Sequence, residues 1–265
     1  MALPSSLSID MGHLTAGFNA QTFQQLSEAL VQTEDQSAML SLHGAQGVGG
    51  VFIDEGRIAW AAAPGTRRFL SHRLVAAGVS EDAMHGLLEE ARTSGAPLGR
   101  MVVDRGLMSA NTFAEVLFEH TVVSLGLMAS QPLERIEHHN RRGGTFELAT
   151  TFPMVPLLAE SVRRVVKAPW REAAGAGEDL IAVEIAVVDQ QALPVRVLGP
   201  RAPKLSELRS LAGDALAVMS DIGAGTVSFR RGASSWSVSG NQSSFVVSEG
   251  RSALSFSWML AQSGA

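Results

Sequence analysis

Two short apolar segments joined by an acidic turn most constrain what this chain can fold into. Residues 48–54 (VGGVFID) and 57–63 (RIAWAAA) have the length and composition of strands. Strand-like segments joined by a glycine-containing turn predict an antiparallel hairpin. Gly56 is expected to supply the positive φ of that turn, and Ile58 and Trp60 are expected to share the core-facing side of the second strand.

The segments around this hairpin predict further helices and strands. Residues 19–33 have a helical apolar spacing, and residues 38–44 read as another strand. Residues 74–91 and 102–120 form a weak internal repeat in which a glycine stop and a serine N-cap precede an amphipathic helix. The repeat predicts helical hairpins that share one core, with Gly106 as a second structural turn.

The chain is predicted to be α+β with two domains, at residues 1–152 and 153–265. The first is expected to be an antiparallel meander with helical hairpins, linked by a mobile stretch at 133–144 to a strand at 145–152. Composition changes at Pro153 and Pro156, and the remaining elements follow the order α-β-β-α-β-β-β. Their main segments are a helix from residue 156, strands at 180–189 and 192–199, a helix at 205–222 and three short strands, and residues 253–262 are predicted to form a last short helix or strand.

Composition excludes several classes of function. Of the 265 residues, 46% are hydrophobic, so a sizeable core is expected, and the absence of cysteine excludes disulfides, thiolate metal sites and cysteine nucleophiles. A net charge of −5 argues against general binding to nucleic acid or an anionic membrane. The N-terminus does not read as a signal peptide and no stretch reaches the ~20 apolar residues of a membrane helix. A cytoplasmic protein is therefore expected.

No catalytic motif is visible in the sequence. The phosphate-binding loop, the dinucleotide fingerprint and the nucleophile elbow are all missing. Histidines near Glu119 lack metal-ligand spacing, and adjacent carboxylates are better explained as solvated charges. We therefore assign no catalytic residue, no metal and no cofactor, and predict that the chain is not an enzyme. The residues weighed were Asp54, Glu55, Glu89, Glu90, Glu119, His120, His138 and His139.

Arginines are the candidate partner-binding residues in this acidic protein. A loose basic segment follows residue 134, and Arg57 is expected on the outer face of the hairpin. Guanidinium groups suit anionic protein surfaces or nucleotide phosphates, whereas the alternative is a solvated face and loop. The candidates are Arg57, Arg141, Arg142, Arg163 and Arg164, with Arg135 and Arg171 in the same basic segment.

The Gly-Arg-Ile hairpin and a later Gly-x-Phe-x-Leu strand carry a family resemblance. The matching positions are Phe52, Gly56, Arg57, Ile58 and Ala61, then Gly144, Phe146 and Leu148. With these, residues 18–152 resemble the domain of unknown function at the N-terminus of PatA-type response regulators, although SAMLSL stands where a Thr-Gly pair is usual. Such domains occur in signalling and polarity proteins without known catalysis, so the resemblance implies interaction.

A second motif, LGRMVVDRGLMSANTFAEVLFEH at 98–120, is similar to the N-terminal domain of type II secretion ATPases. The matching positions are Leu98, Gly99, Val102, Val103 and Gly106. Some of those domains bind cyclic di-GMP. Pro97 and His120 replace the arginine and glutamine of the family at positions that contact the ligand. A sensor of cyclic di-GMP or another nucleotide is therefore the alternative function.

The element order of 156–265 and the hairpin EIAVVDQQALPVRVLG resemble the roadblock/dynein light chain family, with Gln191-Ala192 where glycine is common. Such domains dimerise through sheet edges and helices, and many bacterial ones bind small Ras-like GTPases. The resemblances together imply a bacterial adaptor in cell polarity, motility or two-component signalling. Its expected partner is a small Ras-like GTPase or a response regulator, and self-association is also expected.

Overall fold

The predicted hairpin forms one edge of a four-stranded antiparallel sheet. Over the described residues the fold is α+β, with seven helices and two antiparallel sheets. The chain divides into two units, Met1–Lys167 and Ala168–Ala265. The computed structural model describes residues 18–140, 150–165, 181–198, 201–231 and 234–249.

The described part of the first unit contains six helices and the four-stranded sheet. Its strands lie in the order β3-β2-β1-β4, and every neighbouring pair is antiparallel. The first three strands lie within one residue of their predicted bounds. In chain order the elements are α1 (Ala20–Val31), β1 (Ala38–Gly44), β2 (Gly47–Asp54), β3 (Arg57–Ala62), α2 (Arg67–Ala76), α3 (Glu81–Ser94), α4 (Leu98–Asp104), α5 (Ala110–Ala129), β4 (Leu133–Asn140) and α6 (Met154–Val165).

One face of this sheet is apolar and buried. Leu40 and Leu42 of β1 and Val51 and Ile53 of β2 lie on it, and Ala61 of β3 continues the row. Alternation with a period of two is what a strand with one covered face requires. The helices α1 and α5 pack against the sheet.

A β-bulge in β3 places Ile58 and Trp60 on opposite faces, so the expectation that both face the core from one side is wrong. Ile58 is fully buried and pairs with Ile53, whereas Trp60 pairs with Phe52 on the other face, and the register shifts between the two pairs. Ala59 is the additional residue. One inserted residue reverses the face of those that follow, because side chains alternate along a strand.

Local capping signals set the starts of three helices. The side chains of Asn19, Ser80 and Ser109 accept hydrogen bonds from the backbone N–H three residues further on, at 3.0, 3.3 and 3.1 Å. Gly78 and Gly106 precede two of these caps and have φ values of +111° and +65°. The repeat therefore corresponds to two equivalent helix starts, those of α3 and α5.

The stretch 133–140 is a strand, not the mobile link expected from its polar composition. β4 pairs with β1 along its whole length. Most of its residues are exposed, which explains the polar composition, because edge strands commonly carry charged side chains. The rest of the expected link and most of the strand predicted at 145–152 fall on residues 141–149, outside the described residues.

The helix α5 is the central helix of the first unit. By length and composition alone it is apolar enough to cross a membrane, contrary to the sequence-based expectation, but 67% of its most apolar window is buried within the protein. It packs against α1, α2, α4, α6 and β3. Core helices surrounded by other elements share this composition.

The helix α6 belongs to the first unit, so the boundary follows Lys167 instead of residue 152. It packs against α5, where Gly126 leaves room for the approach of the two helices. Immediately before α6, Phe152 forms an antiparallel bridge with Ile58 of β3 through hydrogen bonds of 2.9 and 2.8 Å. The change in composition at Pro153 therefore marks the start of a helix and not the start of a new unit.

The described part of the second unit is a five-stranded antiparallel sheet with one helix. The strands lie in the order β6-β5-β9-β8-β7. The helix packs on the sheet through Leu205, Leu208, Leu211, Ala212, Ala215 and Met219. A last helix or strand predicted at 253–262 lies outside the described residues. The elements are β5 (Ile181–Val188), β6 (Gln191–Val197), α7 (Leu205–Ile222), β7 (Ala224–Arg231), β8 (Ser234–Asn241) and β9 (Ser244–Glu249).

Candidate functional site

Arg57 lies beside the tip of the β2–β3 hairpin and its side chain is engaged within the protein. The guanidinium donates hydrogen bonds to the hydroxyl and the carbonyl oxygen of Thr151, at 2.8 and 2.9 Å. Arg57 is exposed, but these bonds connect β3 to the segment that precedes α6. A partner would have to use the remaining donors of Arg57 or displace Thr151.

Arg163 and Arg164 are both paired with carboxylates of the first unit. Arg163 donates two hydrogen bonds to Glu160, each 2.7 Å long. Arg164 donates one to Glu160 at 2.6 Å and two to Glu119 of α5, at 2.6 and 2.7 Å. Bidentate guanidinium–carboxylate pairs are strong and directional, so Arg164 fastens α6 to α5.

The pairing changes the proton affinity of these groups. The hydrogen bond to Glu119 is the main cause that raises the pKa of Arg164, against the effect of burial. Burial favours the neutral form of Glu160, but hydrogen bonds from Arg163 and Arg164 outweigh it and the pKa of Glu160 is lowered. Glu160 and Arg164 are therefore charged at neutral pH.

Two further polar residues lie beside this network: Arg73, which sequence reasoning did not single out, and His120, which it weighed only as a metal ligand and as a replaced ligand contact. Arg73 of α2 is 6% exposed, and its Nε has no hydrogen-bond partner. His120 of α5 is 1% exposed, its Nε2 also lacks a partner, and its ring lies 6.5 Å from that of Trp60. Burial, reinforced by the charge of Arg73, lowers the pKa of His120 to about 4. His120 is therefore neutral at physiological pH.

The remaining predicted arginines do not extend this cluster. Arg135 is exposed on β4, with its Nε 3.1 Å from Glu137. Arg141, Arg142 and Arg171 lie outside the described residues. The spacing of Glu160 to Arg163 and Arg164 was a sequence signal for helix ion pairs, but nothing local indicated the pairing with Glu119.

Apart from His120, the histidines and carboxylates considered as metal ligands or catalytic groups are exposed or paired with neighbouring side chains. Among the described residues no group of three or more His, Asp or Glu side chains can hold a metal ion. His138 and His139 are exposed on opposite faces of β4. Glu90 pairs with Arg105, and Asp54 accepts a hydrogen bond from Ser37 at 2.8 Å.

The residues of the secretion-ATPase motif serve helix packing. A side chain at Gly99 of α4 would collide with the ring of Phe113 of α5, so this glycine permits the close approach of the two helices. Val102 is fully buried in the core formed by α2 to α5. His120, at the position of a ligand-contacting glutamine in that family, points into the protein interior.

The second unit presents an edge strand and a buried acid. β7 pairs with β8 and with no other described strand. Most of its described residues are exposed, as is Ile222 at the end of α7, with 46% of its surface accessible. Glu184 of β5 is 7% exposed with Oε2 unpartnered, and burial raises its pKa despite the opposing charge of Arg196.

No family model, curated protein or solved structure matches this chain. What defines it is an α+β fold in two units, with the charged network in the first and the free strand edge in the second.

Proposed function

We propose that this chain is a non-enzymatic bacterial adaptor in the cytoplasm that self-associates through β7 and binds a signalling protein. The observation that carries the proposal is the edge strand β7, which pairs only with β8 among the described strands. Along its eight residues, the main-chain N–H and C=O groups of alternate residues point away from β8 and are available for hydrogen bonding to a second strand. Main-chain pairing at a sheet edge is a common mode of protein recognition.

The composition of β7 supports this role. Natural edge strands are usually protected against pairing by proline, by bulges or by charged side chains within the strand. β7 has no proline, pairs with β8 without a register shift, and carries its arginines only at the end. At the opposite edge of the sheet, β6 contains Pro194, which cannot donate a main-chain hydrogen bond. The two edges therefore differ in their capacity to pair.

The partner class is taken from the resemblances. The order β-β-α-β-β-β of the second unit agrees with the roadblock-like order after its first helix, while α6 belongs to the first unit. The proposal of a roadblock-like domain therefore rests on the five strands and α7. A PatA-type domain followed by a roadblock-like domain implies that the partner is a small Ras-like GTPase or a response regulator.

Self-association is tested by a charge placed on the pairing edge. The wild-type full chain is expected to form a dimer in size-exclusion chromatography with light scattering. Ser228 is exposed in the middle of β7, so Ser228→Glu brings like charges together across paired edges and shifts the protein toward the monomer. Ala217→Glu adds the same charge on the exposed side of α7 and should leave the dimer intact.

A monomeric wild type at all concentrations, or an unchanged dimer of Ser228→Glu, would contradict pairing through β7. Partner binding is tested separately by calorimetry with a purified small Ras-like GTPase and a purified receiver domain encoded by the same genome. Binding of neither protein would remove the adaptor role. Binding of cyclic di-GMP in the same assay would favour the nucleotide sensor instead.

A further inference from the structure

Arg73 is a buried cation whose Nε has no hydrogen-bond acceptor. It lies on α2 with 6% of its surface exposed, and no described residue accepts a hydrogen bond from its Nε. A guanidinium remains charged in proteins, and burying a charge without a partner is unfavourable. An acceptor bound beside Arg73 Nε would therefore stabilise the folded protein.

The nearest carboxylate does not fill this role. Glu119 is the acidic residue whose charge acts on Arg73, but both of its oxygens accept hydrogen bonds from Arg164. Arg164 also repels Arg73. Glu160, the second carboxylate of the network, is engaged by Arg163 and Arg164. The network thus pairs two guanidinium groups with two carboxylates, so neither of these carboxylates is left to balance the charge of Arg73.

His120 supplies a second donor next to Arg73. Thr66, which precedes α2, is hydrogen-bonded to Ser124 of α5; Arg73 lies seven residues after Thr66 and His120 four residues before Ser124, so both side chains lie on the faces through which the two helices meet. Nε2 of His120 has no partner, and the residue is 1% exposed. A neutral imidazole with its proton on Nε2 donates one hydrogen bond. The helices α2 and α5 thus bring together a charged donor and a neutral donor, and neither Arg73 Nε nor His120 Nε2 has an acceptor.

We propose that Arg73 and His120 bind a small oxyanion of the phosphate class between α2 and α5. A phosphate group has at least three acceptor oxygens in a tetrahedral arrangement, so it satisfies the guanidinium and the imidazole together. Its negative charge balances the positive charge of Arg73. The phosphate is either free inorganic phosphate or the phosphate group of a nucleotide.

The test uses the full chain and inorganic phosphate. Thermal unfolding is followed in phosphate and in chloride at equal ionic strength, and direct binding is measured by calorimetry. Phosphate is expected to raise the Tm of the first unit by about 2–4 °C, since a ligand that binds only the folded state stabilises it. Arg73→Met keeps the length of the side chain without its charge, and it should abolish the phosphate-dependent shift.

A second variant covers the case in which Arg73→Met fails to fold. His120→Phe keeps an aromatic ring beside Trp60 and removes the Nε2 donor, so it should weaken phosphate binding about tenfold, as expected for one lost hydrogen bond to an anion. Arg92→Met is the matched control, because Arg92 lies on α3 with its side chain 77% exposed. It should leave the phosphate-dependent shift unchanged.

The source of the phosphate is separated with GMP as a second probe. Tighter binding of GMP than of inorganic phosphate assigns the site to a nucleotide, and equal or weaker binding assigns it to the free ion. The proposal is overturned if phosphate neither binds nor raises the Tm, or if Arg73→Met and His120→Phe both retain wild-type binding. It is also overturned if acetate binds as tightly as phosphate, since a carboxylate then suffices.

Discussion

Arg164 of α6 donates two hydrogen bonds to Glu119 of α5, at 2.6 and 2.7 Å, across 45 positions of sequence. Both side chains are about three-quarters buried, with 26% and 30% of their surfaces exposed. The pair joins the central helix of the first unit to the last helix of that unit. An arginine that the sequence offered as a partner-binding residue is thus part of the internal structure.

Replacing Arg164 should destabilise the first unit more than replacing its neighbour. Arg164→Met leaves Glu119 without its bidentate partner, so a loss of about 2 kcal/mol in the free energy of unfolding is expected after allowance for partial exposure. Arg163 is 49% exposed, and among the described residues its ion pair is with Glu160 of its own helix, so Arg163→Met should cost less than about 1 kcal/mol. Hydrogen exchange of the α5 and α6 amides measures both effects. Equal losses would show that the pair with Glu119 does not fasten α6.

The first unit should lose stability as the pH falls through the range set by His120. Its pKa is about 4 in the folded protein against an ordinary value of 6.5. Below pH 6.5 the unfolded chain therefore takes up a proton that the folded chain excludes. The contribution is fully present above pH 6.5 and is lost by pH 4, for a total of about 3 kcal/mol.

Urea denaturation at several pH values measures this dependence. His120→Phe removes the titrating group, so the decline between pH 6.5 and 4 should be smaller than in the wild type. His72 is exposed on α2, and His72→Asn should leave the decline unchanged. A decline that persists in His120→Phe would assign the acid sensitivity to other groups.

Gly56 should tolerate substitution much less well than Gly106. Both have positive φ, at +72° and +65°. A side chain at Gly56 would also collide with the carbonyl oxygen of Glu34, whereas nothing lies near the corresponding position at Gly106. Gly106→Ala should cost about 1 kcal/mol, from the left-handed backbone alone. Gly56→Ala should cost more than about 3 kcal/mol, because the collision forces the hairpin away from the loop after α1. Similar midpoints of thermal unfolding for the two variants would contradict this packing.

Glu184→Gln should stabilise the second unit at neutral pH. The pKa of Glu184 is raised by burial, so its carboxyl group favours folding below its ordinary pKa of 4.5 and loses that contribution as the pH rises through the raised value. Glutamine keeps the shape of the side chain without the buried charge. Exchange protection of the β5 amides at pH 7 reports the gain. Glu207 is exposed on α7, and Glu207→Gln should not produce a comparable increase.

The elements that local sequence specifies were predicted closely. The strand at 38–44 has its predicted bounds, and the caps Asn19, Ser80 and Ser109 mark the helix starts. Hairpin turns, N-caps and helix stops depend on hydrogen bonds among residues only a few positions apart. The propensities of these residues are therefore sufficient to locate them.

The sequence-based predictions were wrong where contacts between segments distant in sequence determine the structure. Residues 133–140 have too few apolar side chains to indicate a strand, and pairing with β1 makes them one. Proline residues at 153 and 156 marked a helix start but could not show which unit the helix joins. The face of Trp60 depends on the bulge at Ala59, which the two-residue spacing from Ile58 did not reveal.

The sequence by itself determined the α+β class, most helix and strand bounds and the turn at Gly56. Only the tertiary structure decided that Arg57 and Arg164 are held by partners distant in sequence, and that Nε of Arg73 is buried without an acceptor. The physical reason is the range of the interactions. Caps and turns form between neighbours in sequence, whereas the pairing and burial of a charge depend on which helices the completed fold brings together.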